Sequence, residues 1–421
     1  MTATTSVPLF DLVLCISQAV DLVSPVLVNH HRRVGYITLA LAEELKLSAE
    51  ERKQLALAAI LHDIGGLTRK SREDALAFEY EAVHGHAQQG YALLKSFAPF
   101  VPSASYVRFH HVSWANGAGA ESGGEAVPMG SHVLHLADRV AVMLQPQEHP
   151  LRQVERIRGE IQLHSGAKFA PRLVEAFHSL ATKEYFWLDA ATSSLETLLK
   201  KEAGWGTMTL NDDELLEMSM LFRRLIDFRS RFTHTHSSGV AACAEALARW
   251  ALFSERERRT MRLAGYLHDL GKLSVPAEVL EKPAKLTPEE FCIIRGHTYH
   301  TDRVLYPISA LETARIWGAL HHERLDGAGY PFHLRGSELT VGSRIMAVVD
   351  VFVALTEDRP YRKGMTRDET LGVLQKMAEG GGLDPDIVAL LKREFDGINT
   401  ARVAAQADAS QEYRQFQEDS D

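Results

Sequence analysis

Two histidines and a carboxylate, His321-His322-Glu323, run straight into Arg324-Leu325-Asp326-Gly327-Ala328-Gly329-Tyr330-Pro331, a segment whose glycines can take positive φ. That pattern puts imidazoles where a helix gives way to a loop. Upstream, Gly265-Tyr266-Leu267-His268-Asp269-Leu270-Gly271-Lys272 sets a His-Asp pair at the end of an apolar helix, with glycine and lysine directly after it. His236 precedes this motif, His297 lies between the two, and Asp350 follows in Arg344-Ile345-Met346-Ala347-Val348-Val349-Asp350. Imidazoles and carboxylates spread along a chain in this way are the ligand set that first-row metals such as iron and manganese accept. A single helical histidine carries no such meaning; the set does.

The elements that must position these residues are helices. Apolar residues recur at helical spacing from Leu9 to Leu47 (Leu12, Ile16, Val20 and Val23, then Val34, Ile37 and Leu41), with Pro25 as a break, and no period-two run of useful length occurs. A further apolar helix, Leu55 to Ile64, ends in Leu61-His62-Asp63-Ile64-Gly65-Gly66, the same His-Asp-apolar-Gly pattern as at His268. The repeat extends well beyond that motif. The interval from His30 to His62 equals that from His236 to His268, and His86 to His110 equals His297 to His321, while His111 to Asp138 is one residue shorter than His322 to Asp350. Gly166-Ala167-Lys168-Phe169-Ala170-Pro171 likewise echoes Gly382-Leu383-Asp384-Pro385. The chain is therefore read as a tandem duplication, all-α, built of two helical bundles. Residues 1–190 form the first domain, 191–211 a linker around Gly204-Trp205-Gly206, 212–398 the second domain, and 399–421 a flexible tail with little to bury.

The ordered set from His236 to Pro385 resembles the HD-GYP family of bacterial cyclic-dinucleotide phosphodiesterases, carrying both naming motifs, His268-Asp269 and Gly329-Tyr330-Pro331. Asp358-Arg359-Pro360-Tyr361-Arg362-Lys363 is similar to that family's basic substrate-binding segment. The resemblance implies an HD-type bundle and a two-metal site. In it Asp269 bridges, His236, His268 and Asp350 complete one side, and His297, His321 and His322 the other. It also implies hydrolysis of cyclic di-GMP or 3′,3′-cyclic GMP-AMP to the linear dinucleotide through a metal-bridging hydroxide. Iron or manganese is the expected metal, with nickel or zinc as alternatives. Lys272 would neutralise charge on phosphorus oxygens, while Tyr330, Arg344, Arg359 and Arg362 would contact substrate. Two positions depart from the family pattern. Phe232 stands where some members carry a glutamate for a third metal, and Val353 where aspartate is usual.

The first copy keeps His30, His62, Asp63, His86, His110, His111 and Asp138, a second potential metal site. It lacks the rest of the equipment. Gly66 replaces the lysine, Val112-Ser113-Trp114-Ala115-Asn116-Gly117-Ala118-Gly119-Ala120 replaces the Tyr-Pro loop, and only Arg139 follows Asp138 before an apolar run. A regulatory or structural role is the expectation for this domain.

A net charge of −9 argues against a protein that wraps DNA or RNA, so any phosphate site is a local cationic pocket. Cys15, Cys243 and Cys292 are too few and too scattered for a disulfide framework. The apolar stretch from Pro8 to Val28 is interrupted by Asp11, Gln18, Asp21 and Pro25, which argues against membrane insertion. Together these features place the chain in the cytoplasm. Partners beyond the cyclic dinucleotide, whether a homodimer mate or a signalling protein, stay open at this level. The competing reading is a non-catalytic cyclic-dinucleotide receptor that signals through the first domain; the intact Lys272 and complete ligand set favour the enzyme.

Overall fold

The computed structural model describes residues 6–23, 29–66, 84–202, 208–229, 234–358 and 363–420. The chain separates into two compact units, Pro8–Thr209 with Phe416–Asp421 and Leu210–Gln415 with Met1–Val7. Strand among the described residues is limited to two-residue ladders. No helix among them is long and apolar enough to cross a membrane.

In the first unit the helices that matter to the site are α1 (Leu9–Asp21), α2 (His30–Glu44), α3 (Ala49–Leu61), α4 (His84–Leu94), α5 (Val101–Arg108) and α6 (Met129–Met143). In the second they are α7 (Asp212–Asp227), α8 (His236–Trp250), α9 (Glu255–Leu267), α10 (Pro288–Leu305), α11 (Glu312–Ala319) and α12 (Val341–Thr356), in the same order. The duplication is thus visible helix by helix. It reaches the caps: Ser48 opens α3 and Ser254 opens α9, each in a capping box with the glutamate three residues on, Glu51 and Glu257. These boxes satisfy backbone N–H groups that would otherwise be left without partners at the start of the helix that delivers each His-Asp pair.

Each unit has its own apolar core. Leu55, Leu57, Ile60 and Leu61 of α3 are buried, as are Met261, Leu263, Ala264 and Leu267 of α9. The glycine after each His-Asp pair is required by contact. A Cβ on Gly271 would sit 1.9 Å from the His297 carbonyl oxygen, and one on Gly65 2.1 Å from that of His86. These glycines let the turn lie directly on the helix bearing the next histidine.

Two expectations about boundaries need correction. The stretch read as a linker contains a helix, Leu195–Glu202, whose Leu195 and Leu199 are buried one turn apart; Gly204, Trp205 and Gly206 lie outside the described residues. The stretch read as a flexible tail belongs to one long helix, α13 (Phe395–Ser420). Its composition is polar, but its polar groups have buried partners. Glu412 takes the buried Arg223 guanidinium, Gln406 donates to Glu357, and the Tyr413 ring stacks on His234 at 4.6 Å. Composition registers apolar burial and misses this kind of anchoring.

Candidate metal centre

The second unit brings the other six of its seven singled-out residues around Asp269. α8 begins at His236, α9 ends just before His268-Asp269, α10 carries His297, α11 ends just before His321-His322, and α12 carries Asp350. Asp269 Oδ1 lies 3.4 Å from His297 Nε2 and 3.9 Å from His321 Nε2. Its Oδ2 lies 3.2 Å from His268 Nε2 and 3.7 Å from His236 Nε2. Asp350 closes the ring, with Oδ1 3.1 Å from His236 Nε2 and 3.8 Å from His268 Nε2, and Oδ2 4.0 Å from His322 Nδ1. Every side chain in the set is buried except His322, which is part-exposed.

The tautomers follow from the backbone. His268, His297 and His321 donate Nδ1–H to the carbonyls of Gly265, Ile294 and Gly318, at 2.8, 2.5 and 2.7 Å. Each therefore turns an Nε2 lone pair inward. Burial pushes His297 down to about 3 and lowers His321 and His322, so these rings are neutral near pH 7 and able to act as ligands. Burial alone would raise the Asp269 carboxyl, but His268, Lys272 and His297 outweigh it and hold it well below the usual carboxylate range. Among the described residues, the buried His268 Nε2 and Asp269 Oδ1 make no well-formed hydrogen bond. Inward lone pairs facing an ionised carboxylate fit divalent cations and little else.

Lys272 donates from Nζ to Asp269 Oδ2 at 2.6 Å and keeps part of its side chain exposed, so a cationic head borders the cluster. The half-buried Tyr330 packs its ring 5.0 Å from that of His322, with the Arg295 guanidinium 5.0 Å from the ring centre on the other contact. Arg295 was missed in the sequence, where it is one of many helical arginines. Two other charged residues near the cluster hold the loop. Glu323, adjacent to the histidine pair, turns away from the cluster to accept from Phe332 N–H (2.7 Å) and Leu334 N–H (3.1 Å), clamping the loop that presents Tyr330. Arg344 spends its fork on the Leu339 and Gly336 carbonyls and on Asp384 at 3.0 Å, so it ties that loop to the bundle instead of offering a phosphate site. Arg359, Arg362 and Phe232 lie outside the described residues. Val353 is fully buried in the core.

Glu357 was also missed. His236 does not use a carbonyl of its own helix; its Nδ1–H donates to Glu357 Oε2 at 3.0 Å, and Glu357 Oε1 accepts from Gln406 Nε2 of α13 at 2.5 Å. Arg402 Nη1 in turn donates to Gln406 Oε1 at 2.6 Å. The one signal in the chain was an acidic residue just past α12, which alone says nothing.

The first unit assembles the matching residues. Asp63 Oδ1 is 3.3 Å from His86 Nε2 and 3.8 Å from His110 Nε2, and Oδ2 is 3.3 Å from His62 Nε2. Asp138 Oδ1 is 3.1 Å from His30 Nε2 and 3.7 Å from His62 Nε2. His111 Nε2 stands 3.0 Å from His86 Nε2. His62 and His110 donate Nδ1–H to the Ala59 and Val107 carbonyls, repeating the inward-lone-pair arrangement. What differs is the periphery: buried Arg139 donates to Asp138 Oδ2 through Nε (3.0 Å) and Nη2 (2.6 Å).

Comparison with known proteins points to one family. Family models described as HD domain match residues 27–143 and 220–387. The chain belongs to the HD domain family: it carries two HD domains in tandem, and its second is of the HD-GYP type. It is 29% identical over 391 residues to 3′3′-cGAMP-specific phosphodiesterase 1 of Vibrio cholerae, covering 90% of each chain. It is 34% identical over 275 residues to 3′3′-cGAMP-specific phosphodiesterase 3 of the same organism, covering 65% of this chain and 58% of that one. It is 40% identical over 158 residues to the cyclic di-GMP phosphodiesterase PA4108 of Pseudomonas aeruginosa, covering 37% of each. The crystal structure of a cyclic GMP-AMP-specific phosphodiesterase of V. cholerae shares the fold at a TM-score of 0.65, with 23% identity over 94% of this chain and 98% of that one.

Proposed function

We propose that the second unit is a metal-dependent phosphodiesterase that opens 3′,3′-cyclic GMP-AMP to its linear dinucleotide, with cyclic di-GMP as the second candidate substrate. The observation that carries the choice is coverage. A relative named for 3′3′-cGAMP aligns over 90% of the chain, across both units, whereas relatives named for cyclic di-GMP align over 37–47% of it.

In this reading His236, His268 and Asp350 would hold one divalent ion and His297, His321 and His322 a second, with Asp269 able to contribute to either. Iron or manganese is the proposed metal, with nickel or zinc next. When bound, such a pair lowers the pKa of water toward neutrality and screens the phosphodiester charge. The remaining work falls to the chain itself. Lys272, already on Asp269, holds a cationic head at the rim where negative charge grows on phosphorus oxygens. Glu357 fixes the His236 ring, and the carboxylate-to-imidazole contact makes Nε2 a better donor. Tyr330 offers an aromatic face beside His322, held in place by the Glu323 clamp, and Arg359 and Arg362 are the proposed phosphate contacts. In the first unit His30, His62, Asp63, His86, His110, His111 and Asp138 form a second metal site in a domain without the lysine or the Tyr-Pro loop.

The test is chromatographic product analysis of the full chain loaded anaerobically with Fe(II) or Mn(II). Both cyclic dinucleotides are supplied in parallel, beside an Asp269→Ala control. Linear product from cyclic GMP-AMP at the higher rate, absent in the control, is the expected outcome. No product from either substrate by metal-replete protein would overturn the reading.

A further inference from the structure

The two units treat the outer oxygen of the central carboxylate differently. In the second, Asp269 Oδ2 receives Lys272 Nζ at 2.6 Å. In the first, Gly66 stands in the lysine's place, and the equivalent oxygen, Asp63 Oδ2, is faced by His31 Nε2 at 3.9 Å. His31 is 1% exposed and its Nδ1–H donates to Asp21 Oδ1 at 2.8 Å, which leaves a lone pair on Nε2. That Nε2 is buried and has no hydrogen-bond partner among the described residues.

The substitutions are paired. At the position of His31 the second unit has Ser237, and at that of Asp21 it has Asp227; there the serine hydroxyl simply donates to the aspartate at 2.7 Å. So the unit that loses the lysine is the one that gains an imidazole on the same carboxylate oxygen. A separation of 3.9 Å is too long for a hydrogen bond. It suits two donor atoms on a shared ion, whose bonds of about 2.0–2.2 Å put neighbouring ligand atoms roughly 3–4 Å apart. The ring centres of His30, His31 and His62 form a nearly equilateral triangle, with edges of 5.7, 5.3 and 5.4 Å, and its corner atoms face Asp63 and Asp138.

We propose that His31, held by Asp21, is a metal ligand of the first unit, giving that domain a centre of His30, His31, His62, Asp63 and Asp138. This rests on reading the first unit's ligand set as a metal site, and is independent of whether the second unit hydrolyses a cyclic dinucleotide. Three imidazoles on one side favour a zinc-like divalent cation over manganese. Asp21 is a positioning residue: it sets the tautomer and orientation of His31 and raises its basicity as a donor.

Zinc is the probe, measured by chelator competition and by metal content on the full chain carrying Asp269→Ala, which disables the second centre. In that background His31→Ala should weaken zinc binding at least tenfold, with added imidazole restoring it. Asp21→Asn should weaken binding by about 10- to 100-fold while leaving the ring in place. His31→Gln, which keeps a polar side chain beside Asp21, covers the case in which the alanine variant does not fold, and should lose zinc affinity to the same degree. Unchanged affinity in a folded His31 variant overturns the proposal. So does an Asp269→Ala, Asp63→Ala double variant that binds as much zinc as Asp269→Ala alone. Product formation by the wild-type chain is scored separately, so failure of the phosphodiesterase reading would leave these results standing.

Discussion

The two units build the same inner cluster and surround it with different chemistry. In both, a buried aspartate after a capped helix sits among imidazoles whose Nδ1–H groups are tied to their own helices, leaving Nε2 turned inward. Around the second cluster stand Lys272 on the shared carboxylate, Glu357 behind His236, and a loop clamped by Glu323 that brings Tyr330 to the rim. Around the first stand the buried Arg139 on Asp138, the Asp21–His31 pair, and a loop that folds onto its own unit, with Trp114 N–H on the Lys168 carbonyl at 3.0 Å. The difference teaches that a duplicated fold can keep its metal-ready interior while its catalytic rim is rebuilt, because the interior is enforced by burial and the rim is not.

The sharpest way to break this contrast is to remove each hub in turn. Asp269→Ala should lower kcat by at least about 10³-fold, since losing even one lesser electrostatic group costs 10² to 10³, and Asp63→Ala should lower it far less. Equal losses in product assays would mean that both units turn over substrate. Arg139→Met, which strands the buried Asp138, should destabilise the first unit by about 3–5 kcal/mol in denaturant unfolding. Val351→Met, at the matching position of the second unit, leaves no buried charge and should cost much less. Lys272→Met should reduce kcat by about 10² to 10³ with little change in metal content; a loss of metal instead would make the lysine structural. Glu357→Gln should weaken metal binding in the second unit by about 10- to 100-fold, seen as a raised dissociation constant in a folded protein. The smallest effects concern what the units share. Ser48→Ala and Ser254→Ala should each cost about 1 kcal/mol of stability, and a marked inequality would show that the scaffolds are less alike than their caps suggest.

Much of this was legible in the chain. Matching histidine intervals exposed the duplication, and the fourteen residues picked from spacing and resemblance gather in two clusters, twelve of them around Asp63 and Asp269. Spacing works here because each residue occupies a helix end or a fixed helical face, so an interval in sequence becomes a position in space. The directions of Arg344, expected among the substrate contacts, and of the neighbouring Glu323 were not legible, for the opposite reason. Next to a motif, a charged side chain can turn either way, and both turned to hold the loop. α13 failed because composition counts apolar residues, whereas Gln406 and Glu412 are anchored by buried polar partners and Tyr413 by the ring of His234.

The sequence by itself determined the helical class, the duplication, the histidines and aspartates that gather in each unit and the loss of the lysine and Tyr-Pro loop from the first copy, because local propensity and periodic burial act between near neighbours. Only the tertiary structure decided which carboxylate oxygen each imidazole faces, that Glu357 and Gln406 stand behind His236, and that Asp21 aims His31 at Asp63. Those pairings join residues far apart in the chain, and their directions are set by packing between helices, which no local pattern encodes.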